Sequence, residues 1–325
     1  MRPFDPLIRN PHALTILGNF WPRREAPRSP VRDRYYQTEP EVQVLAHEQS
    51  PVSGKERGLL IALHGLEGSS AAGYMVSMAR EALEAGFGAM RLNMRTCGGT
   101  EHLCPTLYHA GLTSDLRRVL EIVKSEGRGP VFLCGFSLGG NVVLKLAGEL
   151  GAAGAQLLAG VCSVGTPLHL GACVDKMSER QNRLYESRFV SRLKARYRRR
   201  QASEPDRFPA RDLTRIRTVL EFDDRITAPA FGFRGARHYY DTQSSIHFLA
   251  DIRVPALLIQ AQDDPLIPFS LYQSEPVVKN PCIRLVTPDH GGHLGFLARR
   301  PPRFWADHVV MEWIEEQILA KERLS

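Results

Sequence analysis

The chain of 325 residues has no long apolar segment, no internal repeat and no low-complexity run. A membrane-spanning helix needs roughly 20 apolar residues, whereas the longest candidate, residues 157–168, is interrupted by Ser163, Gly165 and Pro167. The first ten residues, MRPFDPLIRN, place an acid and two prolines where a signal peptide would have its apolar core. These absences exclude disordered, collagen-like and coiled-coil chains, and we expect a globular, cytoplasmic protein.

The chain also lacks the spacings that are typical of metal and dinucleotide sites. Its six cysteines include no C-x-x-C pair, which indicates reduced thiols and not a metal site or disulfides. No H-E-x-x-H or comparable histidine spacing is present, and no G-x-G-x-x-G follows the first buried strand. We therefore expect neither a bound metal nor a cofactor.

Positive charge is concentrated in one part of the chain, whose net charge is +7. Residues 175–217 contain 14 Lys and Arg against 6 Asp and Glu, so the rest of the chain is close to neutral. A basic balance often indicates nucleic-acid binding, but no recognised binding motif accompanies the charge here. We expect no nucleic-acid partner.

Short apolar runs alternate with helical stretches, a pattern typical of a mostly parallel sheet covered by helices. The apolar spacing predicts an amphipathic helix over 112–125, with Ser114 as its N-cap, and another over 303–321. The predicted strands span residues 34–36, 42–47, 58–64, 87–93, 130–135, 156–164, 255–261 and 282–286, and further helices span 71–85 and 138–150.

Regular spacing lapses between residues 166 and 249, where the chain is polar and basic. No Gly/Ser-rich or proline-rich linker marks an independent second domain. The sequence therefore predicts an α/β core formed by residues 1–165 and 250–325, with an N-terminal arm over residues 1–33. A helical cap is predicted as an insertion over residues 166–249.

The most specific motif is G-F-S-L-G-G-N at residues 135–141, between a predicted strand and a predicted helix. Its G-x-S-x-G pattern is typical of a tight strand-to-helix turn that exposes a serine hydroxyl. Such a turn strains the serine backbone and needs small neighbours, which Gly135 and Gly139 supply. Ser137 is therefore a candidate nucleophile, and the Leu138 N–H at the helix start is a candidate oxyanion donor.

A serine nucleophile needs a base that is oriented by an acid, and on this architecture the chain order is serine, acid, histidine. Asp263 and Asp264 follow the seventh predicted strand, and His290 and His293 follow the eighth. We favour Asp264, because the proline-stiffened turn after it can pack inward, and His293, because two preceding glycines free the backbone to reach the serine. Asp263 is then expected to cap a loop or face solvent, and His290 to bond a neighbouring carbonyl.

The loop after the predicted strand at 58–64 offers the second oxyanion donor. It begins H-G-L-E-G at His64, and Gly65 allows a close approach of the backbone. The Leu66 N–H is the candidate donor. We expect His64 to hold this loop and not to act as the base.

These motifs make the chain resemble the α/β-hydrolase superfamily and, within it, the YheT-like family of predicted esterases. The resemblance extends over nearly the whole length. It rests on N-P-H-A-L-T from Asn10, H-G-L-E-G-S-S from His64, N-M-R-T-C-G-G-T from Asn93, G-L-T-S-D-L from Gly111, the serine motif, E-F-D-D from Glu221 with Tyr239, Tyr240 and Ser244, and the final D-D-P and G-G-H-L-G-F.

The resemblance implies carboxylic-ester hydrolysis, with acyl glycerols or phospholipids as substrates of some eukaryotic relatives. It also implies Ser137, Asp264 and His293 as nucleophile, acid and base. One departure is Leu14, which stands where the family usually has Gln.

The segment from Ser187 to Gln201 combines apolar residues with many cations. Phe189, Val190, Leu193 and Tyr197 would form one stripe on a helix. Two interpretations remain open: a solvated cap helix that packs this stripe on the core, or an electrostatic platform for an anionic lipid surface or acidic substrate. The cations of the candidate platform are Arg188, Arg192, Lys194, Arg196 and Arg199.

The sequence thus predicts a serine hydrolase that cleaves a small-molecule or lipid-like acyl ester of modest to medium chain length. An acyltransferase would pass the acyl group to an alcohol, and a thioesterase would prefer acyl-CoA, with the same three side chains. A non-catalytic module that binds a lipid or a partner is the alternative from a different class, and the complete Ser-Asp-His set argues against it.

Overall fold

The computed structural model describes residues 2–23, 29–209 and 211–323. Its eight strands form one sheet in the order β1-β2-β4-β3-β5-β6-β7-β8. Strands β3 to β8 run parallel to one another, whereas β2 lies antiparallel to both β1 and β4 at one edge. The strands are β1 (Arg32–Glu39), β2 (Val42–Gln49), β3 (Leu59–Leu63), β4 (Gly88–Leu92), β5 (Val131–Phe136), β6 (Gly160–Val164), β7 (Ala256–Ile259) and β8 (Ile283–Val286).

The predicted, mostly parallel sheet is confirmed, although several strands differ in length from the prediction. The first two strands are longer than predicted. The strand predicted over 156–164 begins only at Gly160, because Gly154–Leu157 forms a short helix instead.

Helices cover both faces of this sheet. The α-helices are α1 (Pro11–Phe20), α2 (Gly73–Glu84), α3 (Ser114–Ser125), α4 (Leu138–Leu150), α5 (Gly154–Leu157), α6 (Leu170–Met177), α7 (Arg183–Ser203), α8 (Val219–Phe222), α9 (Ala228–Ala230), α10 (Ala236–Gln243), α11 (Glu275–Lys279) and α12 (Trp305–Glu322). Short 3₁₀ turns span Glu101–Leu103, Gly151–Ala153, Arg180–Asn182, Leu213–Arg215, Ser245–His247, Leu249–Asp251 and Phe269–Gln273, and a π-helical turn spans Asp223–Thr227.

The core lies in two layers, one on each face of the sheet. On one face, α2 and α12 pack Met78 and Trp313 against strand residues such as Phe132. On the other face, α3 packs against β1 and α4 packs against β5 and β6, and this layer continues into the helices between β6 and β7. Because both faces are covered, the central strands are buried along their length, which explains why they appear in the sequence as continuous apolar runs.

The predicted N-cap of α3 is wrong by one residue. The helix begins at Ser114, so the cap position belongs to Thr113, whose side chain makes no capping hydrogen bond. The Ser114 hydroxyl instead donates to Glu39 Oε1 at 3.4 Å, and the Thr113 hydroxyl donates to Glu149 at 2.6 Å. Both hydroxyls are therefore engaged away from the helix N-terminus.

The described part of the chain between β6 and β7 contains α6 to α10, which are joined by short 3₁₀ turns and irregular segments. The predicted basic segment lies within α7, the longest of these helices. Its predicted apolar stripe is confirmed, since Val190, Leu193 and Tyr197 are buried and Phe189 is partly buried. Among the helices of the described ranges, none combines the length and the apolar character that crossing a bilayer requires.

Candidate active site

Ser137 lies at the turn between β5 and α4, in a strained backbone conformation with φ 51° and ψ −122°. Only small neighbours fit this turn. A Cβ atom on Gly135 would lie 2.4 Å from the Gly139 carbonyl oxygen, and one on Gly139 would lie 2.4 Å from the Leu63 carbonyl oxygen. The turn is held to the sheet by the Ser137 N–H, which donates to the Val164 carbonyl at 2.9 Å. Strain of this kind persists only where the surrounding structure enforces it, as at many functional sites.

The structure brings His293 and Asp264 together with Ser137, in the order predicted. His293 Nε2 lies 3.0 Å from Ser137 Oγ, and His293 Nδ1 lies 2.9 Å from Asp264 Oδ2. With Nδ1 protonated and donating to the carboxylate, Nε2 is free to accept a proton from the hydroxyl. The arrangement can therefore raise the nucleophilicity of a serine hydroxyl.

Asp264 is held by donors from its own loop and from α6. The carboxylate is buried, and its Oδ1 accepts the Leu266 and Ile267 N–H groups at 2.8 and 3.1 Å. Lys176 of α6 donates to the backbone carbonyls of Asp264 and Ile267 at 2.8 and 2.9 Å. One carboxylate oxygen is thus fixed by the turn that follows it, and the other faces His293.

Asp263 and His290 form a second pair of an acid and a histidine beside this site, and Asp263 also holds the loop that carries His293. His290 Nδ1 lies 3.1 Å from Asp263 Oδ2, and Asp263 Oδ1 accepts the Gly292 N–H at 2.9 Å. The loop-capping role expected for Asp263 is confirmed. The partner expected for His290 is wrong, because it pairs with the Asp263 carboxylate and not with a backbone carbonyl.

The N-terminal helix supports the loop that carries His293. The Thr15 hydroxyl accepts the His293 N–H at 2.8 Å and donates to the Pro11 carbonyl at 2.7 Å. The loop packs closely here, since a Cβ atom on Gly292 would lie 2.3 Å from the Pro11 carbonyl oxygen. Leu14, the departure from the family pattern, is fully buried beside them.

The loop after β3, which carries Leu66, runs close to the nucleophile. A Cβ atom on Gly65 would lie only 3.1 Å from the Ser137 Cβ atom, which shows how closely this backbone approaches. The N–H groups on either side of Leu66 are engaged: Gly65 donates to the Tyr74 hydroxyl and Glu67 to the Tyr108 hydroxyl, both at 3.0 Å.

The other candidate donor lies on α4. Leu138 is the first residue of this helix, so its N–H has no acceptor within the helix. The Leu66 and Leu138 residues both line the space around the serine hydroxyl. Their N–H groups suit the stabilisation of negative charge that develops on a carbonyl oxygen.

His64 holds the loop and is not available as a base, as predicted. It is fully buried, with Nδ1 2.8 Å from the Gly65 carbonyl oxygen and Nε2 accepting the Met94 N–H at 3.1 Å. Burial lowers the pKa of His64 to about 4, so the ring is neutral near pH 7. Both ring nitrogens of His64 therefore contact the backbone, one at Gly65 and the other at Met94.

The predicted set of surface cations needs a correction at Arg196. Its side chain is buried, donates to Glu67 Oε1 at 2.8 Å and to the Thr96 hydroxyl at 3.0 Å, and therefore faces the core. The reason lies in the helical spacing, which puts Arg196 next to the buried stripe of α7. Arg188, Arg192 and Arg199 share another face of the helix and are exposed, whereas Lys194 is partly buried on a different face.

Two cavities meet at Ser137. The cap cavity is lined mostly by apolar residues of the segment between β6 and β7, including Leu170, Val174 and Leu193. The arm cavity is lined in part by residues of α1 and α7, including Ile16, Phe20, Arg188 and Arg192. Ser137, His293, Leu66, Phe189 and Leu266 line both cavities.

No cysteine competes with Ser137 for the role of nucleophile in the cap cavity. Cys173 lines this cavity, but burial raises the pKa of its thiol, which keeps it protonated and weakly nucleophilic. Across residues 2–23, 29–209 and 211–323, no three His, Cys, Asp or Glu side chains are grouped in a way that could hold a metal ion.

Several supporting residues were not predicted from the sequence. Thr15, Tyr74 and Tyr108 each accept a backbone N–H of a site loop through a hydroxyl oxygen. Thr15 belongs to the N-P-H-A-L-T motif, which was the available signal. The two tyrosines and the Arg196–Glu67 pair carry no local signal, because their partners lie far away in the sequence.

Comparison with known proteins identifies the family of the chain. The family model described as the alpha/beta hydrolase fold matches residues 58–299. The candidate esterase YheT of Escherichia coli (strain K12) is 30% identical over 317 residues, which cover 96% of this chain and 92% of that protein. A monoacylglycerol lipase of Saccharomyces cerevisiae is 29% identical over 262 residues, covering 78% of this chain and 58% of the lipase.

Phospholipase ABHD3 of Mus musculus is 28% identical over 278 residues, covering 84% of this chain and 67% of that protein. Among solved structures, the esterase Pf2001 of Pyrococcus furiosus superimposes with a TM-score of 0.59 at 15% identity, covering 97% of this chain and 99% of that one. At this identity the likeness concerns the fold alone.

Proposed function

The chain belongs to the α/β-hydrolase family, as a YheT-like member, and on this premise we propose that it hydrolyses carboxylic acyl esters through Ser137. It is an esterase-like or lipase-like α/β hydrolase, as its relatives are. The observation that carries the proposal is the continuous contact from Ser137 Oγ to His293 Nε2 at 3.0 Å and from His293 Nδ1 to Asp264 Oδ2 at 2.9 Å.

In the proposed mechanism, Ser137 Oγ attacks the ester carbonyl carbon while His293 Nε2 takes its proton. Asp264 holds the imidazole in the required tautomer and stabilises the imidazolium that forms. The Leu66 and Leu138 N–H groups donate to the carbonyl oxygen as it becomes negative, and losing one such donor typically costs about 3 kcal/mol of barrier.

The tetrahedral intermediate then collapses, and His293 gives its proton to the departing alcohol. The acyl group is left as an ester on Ser137. Water attacks this acyl-enzyme with His293 again as the base, which releases the carboxylic acid and restores the serine. The same residues serve both halves of the reaction, and no cofactor is required.

The two cavities suggest where each half of the substrate lies. The cap cavity is lined mostly by aliphatic side chains and suits an acyl chain of modest to medium length. The arm cavity opens beside the exposed cations of α7 and suits the alcohol, which has to leave before water enters. In this proposal, residues 166–249 act as the inserted cap that shapes the acyl site.

Contact with an anionic lipid surface remains part of the proposal, with a smaller set of cations than the sequence suggested. Ile16 and Phe20 at the rim of the arm cavity are 49% and 64% exposed, and the Arg188 guanidinium lies over the Phe20 ring at 5.4 Å. Arg192 and Arg199 lie on the same face of α7. An exposed apolar pair beside cations suits a surface of acyl chains and anionic headgroups.

The proposed hydrolysis is tested by labelling with a fluorophosphonate probe, which reacts only with an activated serine. We expect labelling of the wild type and no labelling of Ser137→Ala. Wild-type protein should also hydrolyse p-nitrophenyl esters of graded chain length, and the chain-length preference would report the depth of the cap cavity. Absence of both labelling and hydrolysis would contradict the proposal and favour a non-catalytic binding module.

The two enzymatic alternatives are separated by their products. Added alcohols would give new esters if the protein were an acyltransferase, and acyl-CoA would be preferred over oxygen esters by a thioesterase. For the lipid surface, binding to phosphatidylglycerol vesicles should weaken as salt rises and should fall in Arg188→Gln/Arg192→Gln. Equal binding to phosphatidylcholine vesicles would contradict that contact.

A further inference from the structure

Asp223 is an acidic residue in the wall of the otherwise mostly apolar cap cavity. It begins the π-helical turn Asp223–Thr227. The Tyr240 hydroxyl donates to its Oδ2 at 2.6 Å, and the Thr227 hydroxyl donates to its Oδ1 at 2.7 Å. All three residues line the cavity that also contains the Ser137 hydroxyl. The proposed mechanism assigns none of them a role.

The position of this carboxyl group carries an energetic cost. Burial raises the pKa of Asp223 to about 6, since the surrounding protein disfavours its charged form. The charged groups that act on this pKa are Arg196, which lowers it, and Glu67, which raises it, and the two pair with each other. An acidic group in such a setting needs hydrogen bonds to offset the loss of water.

The two hydroxyl donors do not use the full capacity of the carboxyl group. Its two oxygens together have about four acceptor positions, of which the Tyr240 and Thr227 hydroxyls occupy two. Although protein surrounds it, Asp223 keeps part of its surface accessible, and the residue lines the cap cavity. If its only task were to hold Tyr240, a fully enclosed neutral amide would serve at a lower desolvation cost.

The local backbone is consistent with a binding role. Single π-helical turns are rare, and they occur frequently at functional sites because they displace a side chain from its regular helical position. Binding cavities typically combine an apolar lining with a few placed polar groups that select the ligand. Asp223 and Tyr240 supply such polar groups in a cavity whose lining also includes aliphatic residues such as Leu170 and Val174.

We propose that Asp223, supported by Tyr240, forms a polar subsite in the cap cavity that binds a hydrogen-bond donor on the acyl chain, such as a hydroxyl group. The inference rests on the proposed ester hydrolysis and specifies its substrate class as acyl esters with an oxygenated acyl chain. A hydroxyl that enters an apolar cavity without a partner is disfavoured, whereas here it donates to the free position on the carboxyl group.

The test compares pairs of p-nitrophenyl esters of equal chain length, in which one ester has a plain acyl chain and the other carries a single hydroxyl group. The hydroxyl is moved along the chain from one pair to the next, and positions from which it would cyclise to a lactone are left out. For each pair, the ratio of kcat/KM for the hydroxylated ester to that for the plain ester is measured. At one or more positions, the wild type should give a ratio of at least one. Ratios well below one at every position would overturn the inference. This part of the test uses the wild-type protein alone.

The variant Asp223→Asn should lower this ratio about tenfold or more at the favoured position, because a hydrogen bond to a charged acceptor is replaced by a weaker one. Asp224→Asn is the matched control. Asp224 is exposed and accepts the Ala236 N–H at 3.0 Å, outside the cavity lining, so its ratio should equal that of the wild type. An unchanged ratio in Asp223→Asn would also overturn the subsite.

The plain esters separate failure of this inference from failure of the proposed function. If plain esters are hydrolysed in a Ser137-dependent way and the ratios do not respond to Asp223, only the subsite is wrong. If no ester is hydrolysed, the proposed function is wrong. Binding of a hydroxylated and a plain fatty acid to Ser137→Ala, measured by the shift in melting temperature, gives a second readout, in which the hydroxylated acid should produce the larger shift.

Discussion

Arg196 of α7 and Glu67 of the loop after β3 form a buried ion pair, with Arg196 Nε 2.8 Å from Glu67 Oε1. The pair is extended by the Tyr108 ring, which lies 4.6 Å from the Arg196 guanidinium and whose hydroxyl accepts the Glu67 N–H. Glu67 has a positive φ of 53°, which is uncommon for a residue other than glycine. The ion pair therefore joins the segment between β6 and β7 to the backbone that positions the Leu66 N–H.

Arg196→Met is expected to lower kcat more than it raises KM. Arg196 acts as a positioning residue, because its loss frees Glu67 and the loop after β3 without removing a group that contacts the reacting atoms. The uncompensated Glu67 should also destabilise the fold by about 3–5 kcal/mol. Steady-state kinetics, measured well below the melting temperature of the variant, would separate the two parameters.

Two further variants control this prediction. Arg199→Met removes a partly exposed cation that pairs with Glu101 at 2.7 Å on the protein surface, and it should change neither parameter. The double variant Arg196→Met/Glu67→Gln should recover much of the stability, because no buried charge is left unpaired. An unchanged kcat in a folded Arg196→Met protein would show that the ion pair does not position the loop.

The neighbouring acids give a matched pair of variants for the proposed triad. Asp264→Asn should lower kcat by roughly four orders of magnitude, since the amide favours the wrong tautomer of His293. Asp263→Asn keeps a side chain that can accept the Gly292 N–H and should lower kcat far less. The comparison uses kcat for one p-nitrophenyl ester, and equal losses in the two variants would contradict the assignment of the acid.

Thr15→Val tests the support that α1 gives to His293. Valine has nearly the same shape but leaves the His293 N–H without its acceptor, and a buried unpaired donor costs about 1–3 kcal/mol. We expect kcat to fall about tenfold, because a displaced imidazole raises the barrier. Thr15→Ser retains the hydroxyl and should restore most of the activity; a serine variant as impaired as the valine variant would point to packing instead.

His109 makes the stability of the fold sensitive to acid. Burial among aromatic rings lowers the pKa of His109 to about 3, whereas the unfolded chain protonates it near its ordinary pKa of 6.5. Between these pH values the unfolded state binds the additional proton, so this residue's contribution to stability is present above pH 6.5 and is lost as the pH falls.

His109→Phe removes this proton-binding group and fits the same aromatic cluster. From pH 7 to pH 4.5, the free energy of unfolding of the wild type should therefore fall by about 2–3 kcal/mol more than that of the variant. This difference does not depend on how stable the variant is at pH 7. Urea unfolding of both proteins at the two pH values measures the difference. Buried acids such as Asp307, whose pKa burial raises to about 6, contribute equally to both proteins and cancel. A constant difference between the two proteins would contradict the prediction.

The positions of Ser137, Asp264 and His293 could be predicted because each follows a strand of the parallel part of the sheet, and the carboxyl ends of parallel strands meet at one edge of a sheet. The choice of Asp264 over Asp263 also rested on nearby residues, because the backbone N–H groups of the turn after Asp264 donate to its carboxylate. These features depend on residues close together in sequence.

The burial of Arg196 could not be predicted in the same way. Within α7 it is one of many cations, and its partner Glu67 is 129 residues away in the chain. Helical spacing indicated the apolar stripe, but it did not show that an arginine beside the stripe would be enclosed against the loop after β3. The cap cavity and Asp223 likewise depend on contacts between distant segments.

Formation of an ester between the substrate acyl group and Ser137 is the central claim of the account. Intact-mass spectrometry of the protein, quenched in acid during the first turnover of a p-nitrophenyl ester, tests it directly. The account predicts a mass increase equal to the acyl group, mapped by peptide fragmentation to Ser137 and absent from Ser137→Ala. Ester hydrolysis that proceeds at the wild-type rate in Ser137→Ala would contradict it.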